Sequence, residues 1–555
     1  MNRTTPLLFA ALPLLLLIGS AGCSDQKSAA STAVATKNET DGTSAIVFRD
    51  VAAEAGLDYK WDYPGKPIGN ILDLIGNGCA FVDYDNDGNL DILLVGPKVA
   101  LYRGDGAGKF TNVSDSTGMA ALKGRFLGCA TGDFNNDGFT DIYITAYRGG
   151  ALLQNEQGKR FRDVTVASGV ATQPWATSAA FADLDGDGNL DLYIGNYVKF
   201  GPETDPQLCV QKGMKTACAP RQYDPEPGFL YKGDGTGKFT DITQTSGFHT
   251  LSGKALGVAI ADYDGSGRLS VSVANDEMPG DLMKNHGNGT FENVAKLAGT
   301  ATDNEGNLHG GMGTDWGDVD NDGLLDLFVA TYQNEVKTLY LNDGDDLFTD
   351  KAIPLGLNSA SPMVAFGMRF VDFDNDGYLD IALANGHVQD NIGQIDPRTS
   401  FKQKTLFYRG IEGKSFTDVT ASLDKNVTRE IMGRGLAAGD YDNDGKVDLL
   451  IVDSDGAPLL LHNETTNTGH FLGVALPPSA KSYGAMLTLK IGDKTLVRHC
   501  HTDGSYMSAS DARVVFGLGN ATRIDSLTVR WAGGGEDTFT DLPIDRYSTV
   551  SPTKQ

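Results

Sequence analysis

The loop that organises this chain first occurs as Asp83-Tyr84-Asp85-Asn86-Asp87-Gly88-Asn89-Leu90-Asp91. Aspartates occupy positions 1, 3, 5 and 9 of this nine-residue segment, and glycine occupies position 6. A hard divalent cation such as calcium requires oxygen ligands at such positions, with a glycine that permits a sharp reversal of the chain. The loop begins again at six later aspartates: Asp133, Asp183, Asp262, Asp318, Asp372 and Asp440. Seven copies in one chain indicate a repeat architecture.

Six of the seven loops carry a complete set of oxygen ligands. Positions 1, 3, 5 and 9 supply side-chain oxygens, and position 7 supplies its backbone carbonyl oxygen. The predicted calcium ligands are Asp83, Asp85, Asp87, Asn89 and Asp91; Asp133, Asn135, Asp137, Phe139 and Asp141; Asp183, Asp185, Asp187, Asn189 and Asp191; Asp318, Asp320, Asp322, Leu324 and Asp326; Asp372, Asp374, Asp376, Tyr378 and Asp380; and Asp440, Asp442, Asp444, Lys446 and Asp448. Carboxylates so close together repel one another without a cation, which favours metal binding over aspartates that only cap the turns.

The fourth loop departs from this pattern. It keeps Asp262 and Asp264, but Ser266 and Ser270 replace two carboxylates and Arg268 stands at position 7. The loss of two anionic ligands, together with a nearby positive charge, should weaken calcium binding strongly. We therefore predict about six calcium ions. Their role is structural, because a saturated oxygen cage leaves no open coordination position for a substrate.

The spacing of the loops predicts an all-β fold, a seven-bladed β-propeller over residues 46–463. Successive loops start 50, 50, 79, 56, 54 and 68 residues apart, which suits a four-stranded blade. The short β-branched and aromatic runs between the loops are typical of strands. An EF-hand would instead need flanking helices and a glutamate at position 12, where the first two loops have Leu94 and Ile144.

A second motif counts the blades independently. Seven tags beginning with Phe close the repeats, at residues 48–51, 110–113, 161–164, 239–242, 291–294, 348–351 and 416–419. The first tag precedes every loop, and the last loop, at Asp440, has no tag after it. The segment 48–51 is therefore predicted to complete the seventh blade and close the ring without a covalent link.

The longest interval contains a proline-rich insertion at residues 199–228. Long loops on a rigid scaffold often carry specificity, and the alternative is a neutral surface elaboration. The insertion holds Cys209 and Cys218, which we predict to form a disulfide in an oxidising compartment. Cys79 and Cys129 stand at equivalent positions before their loops, where free core thiols are favoured over a disulfide. Cys500 has no evident partner.

The N-terminus carries targeting information. Residues 1–22 are typical of a signal peptide, because Arg3 precedes an apolar run too short to span a membrane. Residues 17–23 resemble a bacterial lipoprotein processing site, which implies lipidation of Cys23; a plain secretory signal is the alternative. Residues 23–45 are expected to be a flexible, lipid-anchored tether. We expect an extracytoplasmic protein anchored by lipid to the bacterial cell envelope, at the outer membrane, or secreted.

The chain is strongly acidic. Its formal net charge is -26, or -27 without a leader that carries Arg3. This charge argues against nucleic acid or an anionic membrane surface as a partner, so contact with a membrane is expected through the lipid anchor only. Six divalent cations would bring the mature chain to about -15 and relieve much of its self-repulsion.

The aspartate pattern stops after residue 463, and residues 464–555 have the alternating strands of a small β-domain. The loops, with following strands such as Asp191-Leu192-Tyr193-Ile194, resemble the FG-GAP or VCBS repeats of integrin α-subunit propellers and bacterial surface proteins. The tail, through Gly484-Ala485, Phe516-Gly517-Leu518-Gly519 and Val529-Arg530-Trp531, resembles the ASPIC/UnbV domain of cartilage acidic protein and its bacterial relatives. The resemblance implies calcium-stabilised extracellular binding or adhesion, without established catalytic residues.

The leading hypothesis is a propeller scaffold that binds a protein or glycan. The alternative is a propeller hydrolase or lyase acting on polysaccharide, which needs convergent acids or a Tyr/His/Arg cluster in the central funnel. No catalytic residue is predicted, because the sequence has no nucleophile elbow, HExxH motif or phosphate-binding loop. His499 and His501 share one face of a predicted strand, but without a third ligand we expect an exposed strand with no chemistry.

Overall fold

The computed structural model describes residues 45–61, 69–201 and 208–553. The predicted signal peptide, Cys23 and all but the last residue of the tether lie outside these residues. The described part of the chain forms one compact unit and is built mainly of short β-strands. The predicted all-β class is confirmed.

Strand β1 (Phe48–Asp50) precedes a series of antiparallel groups, each of which has one aspartate loop after its first strand. The first three groups and the insertion contain β2 (Cys79–Val82), β3 (Asp91–Leu94), β4 (Ala100–Gly104) and β5 (Phe110–Asn112); β6 (Arg125–Gly132), β7 (Asp141–Gly149), β8 (Ala151–Asn155) and β9 (Phe161–Asp163); and β10 (Gln173–Ala182), β11 (Asp191–Asn196), the inserted hairpin β12 (Leu208–Gln211) and β13 (Met214–Ala217), β14 (Phe229–Gly233) and β15 (Phe239–Asp241).

The later groups follow the same plan. They contain β16 (Ala255–Ala261), β17 (Ser270–Asn275), β18 (Asp281–Asn285) and β19 (Phe291–Asn293); β20 (Thr314–Gly317), β21 (Asp326–Val329), β22 (Thr338–Gly344) and β23 (Leu347–Asp350); β24 (Ala365–Val371), β25 (Asp380–Asn385), β26 (Gln403–Lys404), β27 (Leu406–Ile411) and β28 (Ser415–Asp418); and β29 (Glu430–Ile431), β30 (Gly433–Gly439), β31 (Asp448–Asp453) and β32 (Leu459–Asn463). Strands β26 and β29 pair outside the four-stranded groups.

The groups are arranged in a ring. The first strands β2, β6, β10, β16, β20, β24 and β30 contact one another in this order, and β30 contacts β2. Strand β1 pairs with β32, with Phe48 opposite Asn463, so the N-terminal segment completes the group that carries the last loop. This confirms the predicted pairing of segment 48–51 and gives a β-propeller-like fold.

Apolar side chains fill the wedges between neighbouring groups. The phenylalanine that starts each tag is buried, with at most 9% of its surface exposed: Phe48, Phe110, Phe161, Phe239, Phe291, Phe348 and Phe416. Phe48 packs against Phe373 and Phe407 of the preceding group, at ring-centroid distances of 5.2 and 5.5 Å. Each tag therefore supplies the outer strand of one group and an anchor for its core.

Short helices follow most of the tags. The α-helices are α1 (Ala52–Ala55), α2 (Ser114–Thr117), α3 (Thr165–Ser168), α4 (Thr243–Ser246), α5 (Ala295–Ala298) and α6 (Ile392–Ile395). The 3-10 turns are Ile71–Asp73, Met119–Ala121, Pro220–Gln222, Phe248–Thr250, Leu357–Ala360 and Thr420–Ser422. Helices α1 to α5 each end at a glycine in the left-handed conformation.

The tail forms two sheets around its own apolar cluster. Its strands are β33 (His470–Ala475), β34 (Met486–Ile491), β35 (Lys494–His499), β36 (Val514–Gly519), β37 (Ser526–Arg530), β38 (Glu536–Phe539) and β39 (Tyr547–Thr549). Between β35 and β36, residues 502–511 leave the tail and enter the ring. We call this buried segment the plug loop.

The plug loop hydrogen-bonds to the first strand of every group or to the residue next to it. The bonds join Ala509 N to Cys79 O (3.0 Å), Cys129 N to Met507 O (3.0 Å), Met507 N to Ser178 Oγ (3.0 Å), Gly504 N to Val258 O (3.1 Å), Ser505 N to Thr314 O (2.6 Å), Met368 N to Ser505 Oγ (3.2 Å) and Ala438 N to Ser510 Oγ (3.1 Å). The centre of the ring is therefore filled by the tail, which the strand pattern did not predict.

Candidate metal centres and ligand cavity

The aspartate loops share one hydrogen-bonding plan. In the first loop, Asp83 accepts the backbone N–H of Asp87 at 3.2 Å and of Gly88 at 3.0 Å. Asp91 accepts the N–H of Tyr84 at 3.0 Å and that of Gly104, on the third strand of the group, at 2.8 Å. The aspartates therefore cap the turn through hydrogen bonds to the backbone, as the alternative to metal binding predicts. The same bonds hold the carboxylates close together.

Positions 4 and 6 of the loop need a left-handed backbone. Gly88 has φ +85, and the asparagine two residues earlier, Asn86, has φ 57. The Asn86 side-chain amide donates to the carbonyl oxygen of Gly138, in the second loop, at 2.7 Å. The same bridge joins Asn375 of the sixth loop to Gly445 of the seventh at 3.0 Å. The position-4 asparagine thus fits the turn and links neighbouring loops on one face of the ring.

The carboxylates converge as a cation site requires. Ligand oxygens of positions 1, 3 and 9 lie within 4.8 Å of one another in four of the complete loops, and in the seventh loop Asp442 and Asp448 converge with His462. In three of these five loops one buried carboxylate oxygen has no hydrogen-bond partner: Oδ1 of Asp85, Asp318 and Asp442. Asp262 Oδ1 of the fourth loop is unpaired as well. The converging carboxylates of the complete loops form a donor set that fits a hard divalent ion.

Burial disfavours the ionised form of the loop carboxyl groups when no cation is bound. It raises the pKa of the position-9 aspartates to about 8: Asp91, Asp141, Asp191, Asp326 and Asp448. A bound cation would stabilise the ionised form. At position 7, the N–H of Asn89 donates to Asp87 at 2.9 Å, and equivalent bonds occur at Phe139, Asn189, Leu324, Tyr378 and Lys446. Metal coordination by the carbonyl oxygens of these residues stays a prediction.

A cation from the third strand of the group accompanies several loops. Arg103 donates to Asp85 and to Asp87, both at 2.5 Å, and Lys232 contacts Asp185 and Asp187. The residues at the same strand position are Arg103, Gln154, Lys232, Lys284, Leu341, Arg409 and His462. The basic members neutralise part of the loop charge while Asp85 Oδ1 stays unpaired. A basic residue recurs at the fourth position of this strand in several groups. This recurrence could have identified the partners of the loop aspartates from the sequence, but they were not predicted.

The fourth loop is neutralised by protein side chains. Arg530 of the tail donates to Asp262 Oδ2 at 2.5 Å and to the carbonyl oxygen of Gly265 at 2.8 Å. Lys284 lies 3.3 Å from Asp264. Arg268, the residue expected to bring positive charge, instead donates to the carbonyl oxygen of Asn285 at 2.9 Å. Arg530 and Lys284 therefore bring positive charge to this loop in addition to Arg268, and weak calcium binding here stays a prediction.

The tail contacts the face that carries the loops. Tyr547 donates to Asp440 Oδ2 at 2.8 Å, and Arg513 donates to the carbonyl oxygen of Asp440 at 2.6 Å. Arg498 reaches the carbonyl oxygen of Gly377 at 3.1 Å. The tail thus packs on the fourth, sixth and seventh loops, which suits a structural role for these loops.

The predicted disulfide between Cys209 and Cys218 is confirmed, and it joins the hairpin β12–β13. This hairpin connects the second and third strands of its group, so it lies at the end of the ring opposite the aspartate loops. Lys212 donates to the carbonyl oxygen of Ile395, next to the sixth group, at 2.7 Å. The insertion therefore reaches across the mouth of the ring from the third group to the sixth.

A cavity of about 450 Å³ lies beneath the hairpin. Its apolar wall includes Leu256, Met312 and Phe366, from the fourth, fifth and sixth groups. Tyr506 of the plug loop stacks edge-on against Phe366 at 4.9 Å and donates to the carbonyl oxygen of Ile75 at 2.8 Å. The plug loop thus supports the floor of the cavity.

The polar wall of the cavity is formed by acids and tyrosines that sequence reasoning did not single out. It includes Tyr197, Asp276, Glu277, Tyr332 and Glu335. Tyr197 donates to Asp276 at 2.5 Å, and burial raises the pKa of Asp276 to about 7. Glu335 accepts the N–H groups of Gly310 at 3.0 Å and Tyr332 at 3.1 Å. These residues come from different groups, so their spacing in the sequence carries no signal.

The prediction for Cys79 and Cys129 is confirmed, whereas the prediction for His499 and His501 is wrong. Cys79, Cys129 and Cys500 are buried free thiols, as expected for the first two. The expectation of an exposed strand at His499 and His501 is wrong: His499 is 6% exposed, and its ring stacks on His501 at 3.8 Å. His501 pairs with Asp315 of β20 at 3.0 Å. The strand is buried because the tail docks against the ring.

Comparisons with known sequences agree with the repeats and the tail. The FG-GAP-like repeat matches residues 83–144, 133–194, 271–329 and 318–383, and "ASPIC and UnbV" matches residues 477–555. Among curated proteins, mouse and human cartilage acidic protein 1 are each 27% identical over 52% of this chain. The matches cover 40% and 39% of those proteins, so the chain spans less than half of their length.

Among solved structures, the BP39L lectin from Burkholderia pseudomallei is 11% identical, with a TM-score of 0.45, over 71% of this chain and 98% of the lectin. YCF48 bound to D1 peptide is 12% identical, with a TM-score of 0.38, over 73% of this chain and 96% of that protein. Within the described residues, no helix combines the length and apolarity needed to cross a membrane.

The fold and its loops define a β-propeller-like protein with acidic groups able to hold metal ions. This chain carries FG-GAP-like repeats followed by an ASPIC and UnbV domain, and it is homologous to cartilage acidic protein 1.

Proposed function

We propose that the protein is a calcium-stabilised, seven-bladed propeller scaffold that binds a protein or glycan outside the cytoplasm, in adhesion or another envelope interaction. Residues 46–463 form the propeller, residues 464–555 form the small C-terminal β-domain, and Cys23 carries the lipid anchor. One observation supports this most: the acidic loops and a ligand-sized cavity lie at opposite ends of the ring, the loops on the side that the tail contacts and the cavity beneath the inserted hairpin.

The two ends of the ring have different tasks in this proposal. The six complete loops hold about six calcium ions, through the predicted ligands, and these ions stabilise the turns between the first and second strands of the blades. The cavity offers about 450 Å³, within the range typical of ligand sites, and combines an apolar wall with a few polar groups. Calcium acts on the scaffold, and the ligand binds at the other end.

The test separates these tasks. Glycan arrays and pull-downs with the purified protein should yield a ligand whose binding is weakened by Asp276→Asn and by removal of calcium. Calcium removal should also lower the melting temperature, whereas Asp276→Asn should leave the melting response to calcium intact. Binding that survives complete unfolding of the calcium loops would contradict the proposal. Labelling with a radioactive fatty acid, lost in Cys23→Ser, tests the anchor.

A polysaccharide hydrolase or lyase is the second candidate, because Asp276 and Glu335 converge with Tyr197 and Tyr332 beside the cavity. A buried acid with a raised pKa, such as Asp276, can act as a general acid. Incubation with neutral and acidic polysaccharides should then release reducing ends or unsaturated products in the native protein but not in Asp276→Asn. Absence of product from either class of polysaccharide, with ligand binding retained, would favour the scaffold.

A further inference from the structure

We infer that the cavity beneath the inserted hairpin is a recognition site for a basic side chain, lysine or arginine, presented by a peptide or protein partner. This inference rests on the proposed binding function and gives the ligand its chemistry. The cavity joins residues from several groups with the disulfide-bonded insertion.

The carboxylates of the cavity outnumber its cations. Asp276, Glu277 and Glu335 line it together with one guanidinium, that of Arg221. Arg221 is already engaged, because its side chain lies 3.0 Å from Glu277 and its backbone N–H donates to the same carboxylate at 2.9 Å. The lining therefore keeps negative charge that Arg221 does not neutralise.

The other two carboxylates accept hydrogen bonds from neutral donors, and the imidazole of His309 lies 3.7 Å from Glu335. Asp276 accepts the hydroxyl of Tyr197, and Glu335 accepts two backbone N–H groups. Lys254 acts on Asp276 through its field, but it is buried behind the insertion, where its ammonium donates to the carbonyl oxygen of Pro220 at 3.1 Å. Glu277 and Glu335 raise the pKa of Asp276 further beyond the effect of burial. An entering cation would relieve this repulsion.

The rest of the lining suits the stem of a basic side chain. Leu256, Met312, Phe366 and Val388 offer apolar surface for methylene groups. The rings of Tyr197 and Tyr332 stand beside the carboxylates, and an aromatic face attracts a desolvated cation. A neutral glycan would bring no further positive charge to the carboxylates, and an acidic glycan would meet repulsion. The combination therefore favours a cation on an apolar stem.

The inserted hairpin favours a polypeptide segment as the ligand of this site. Two hydrogen bonds hold its tip across the mouth of the ring: one from Lys212, and one from Gln389 to Gln211 at 3.3 Å. Gln389 and Val210 both line the cavity. Gln389 Oε1 is buried without a hydrogen-bond partner. This acceptor lies on the lining, where an incoming N–H donor would satisfy it.

Calorimetric titration of the full-length, calcium-loaded protein at physiological salt tests the inference. The probe is the capped peptide Gly-Arg-Arg-Gly, and its matched control carries citrulline in place of both arginines. We expect saturable one-to-one binding of the arginine peptide and at least tenfold weaker binding of the citrulline peptide. Asp276→Asn and Glu335→Gln should each weaken the arginine peptide about fivefold or more, while Glu412→Gln, which removes an exposed charge elsewhere, should not.

Equal binding of the two peptides, or binding unaffected by Asp276→Asn and Glu335→Gln, would overturn the inference. So would tighter binding of spermidine or of a neutral oligosaccharide, which would assign the cavity to a free amine or to a glycan. Melting curves of each variant must show the native calcium response, and Tyr332→Phe provides a milder change. If the arginine peptide does not bind but another ligand binds and is weakened by Asp276→Asn, the inference is wrong and the proposed function stands. If no ligand binds, both are wrong.

Discussion

The guanidinium of Arg530 lies against the carboxylate of Asp262, with Nη2 donating to Oδ2 at 2.5 Å. Asp262 is 3% exposed at its side chain and Arg530 is 34% exposed, so the pair is shielded from water on one side. A residue of the tail thus supplies positive charge to the one loop in which two of the four carboxylates are replaced. The tail and the ring share this site.

Replacement of Arg530 by methionine should destabilise the protein by about 1–3 kcal/mol, because it leaves Asp262 buried without its cation. The loss should be the same with and without calcium, since the loop still lacks two carboxylates. Chemical denaturation under both conditions measures it, with the exposed Arg523→Met as the control. A loss that calcium repairs would contradict this account of the fourth loop.

Metal analysis of the purified protein should find about six calcium ions, and Asp326→Asn should remove one of them. Asp326 is buried at position 9 of the fifth loop, and its neutralisation deletes a charged ligand. The exposed Asp343→Asn is the matched control and should keep all six. Chelation should lower the melting temperature. When the free calcium concentration is 100 times the dissociation constant of a site, binding at that site adds about 2.7 kcal/mol to the free energy of unfolding. Seven tightly bound ions would refute the predicted count.

Phe48→Ala should cost about 3–5 kcal/mol, because the buried ring closes the contact between the first strand and the sixth and seventh groups. Val47→Ala, one residue away and 38% exposed, should change stability by roughly 0.5 kcal/mol or less. Equilibrium unfolding compares the two. Deletion of residues 46–51 should lower the melting temperature, and an unchanged value would show that this strand does not close the ring.

The ring and the tail should unfold in one transition, because the plug loop hydrogen-bonds to every group. Tyr506→Phe removes the bond to Ile75 and should cost about 1 kcal/mol, whereas Tyr506→Ala also empties a buried site and should cost about 3–5 kcal/mol. Differential scanning calorimetry should show a single peak that moves as a whole. Two peaks, of which only one moves in Tyr506→Ala, would show that the tail is independent.

The loops and tags were predictable because their signals are local. An aspartate at position 1 accepts N–H groups four and five residues later, so the turn is encoded within nine residues. The disulfide was predictable for the same reason, since Cys209 lies on the first strand of the hairpin and Cys218 directly follows the second. By contrast, Arg103 contacts Asp85 across the sheet from 18 residues away, and only a comparison between repeats could have marked it.

The repeat count, the candidate ligands, the closing strand and the acidic character of this protein follow from the sequence, because each depends on residues close together or on repetition along the chain. The position of the tail and the site beneath the hairpin follow only from the tertiary structure. Arg530 and Asp262 are 268 residues apart, and Tyr197 and Asp276 are 79 apart. Such pairs meet because closing a ring brings the ends of distant strands to a common centre, a constraint that no local pattern records.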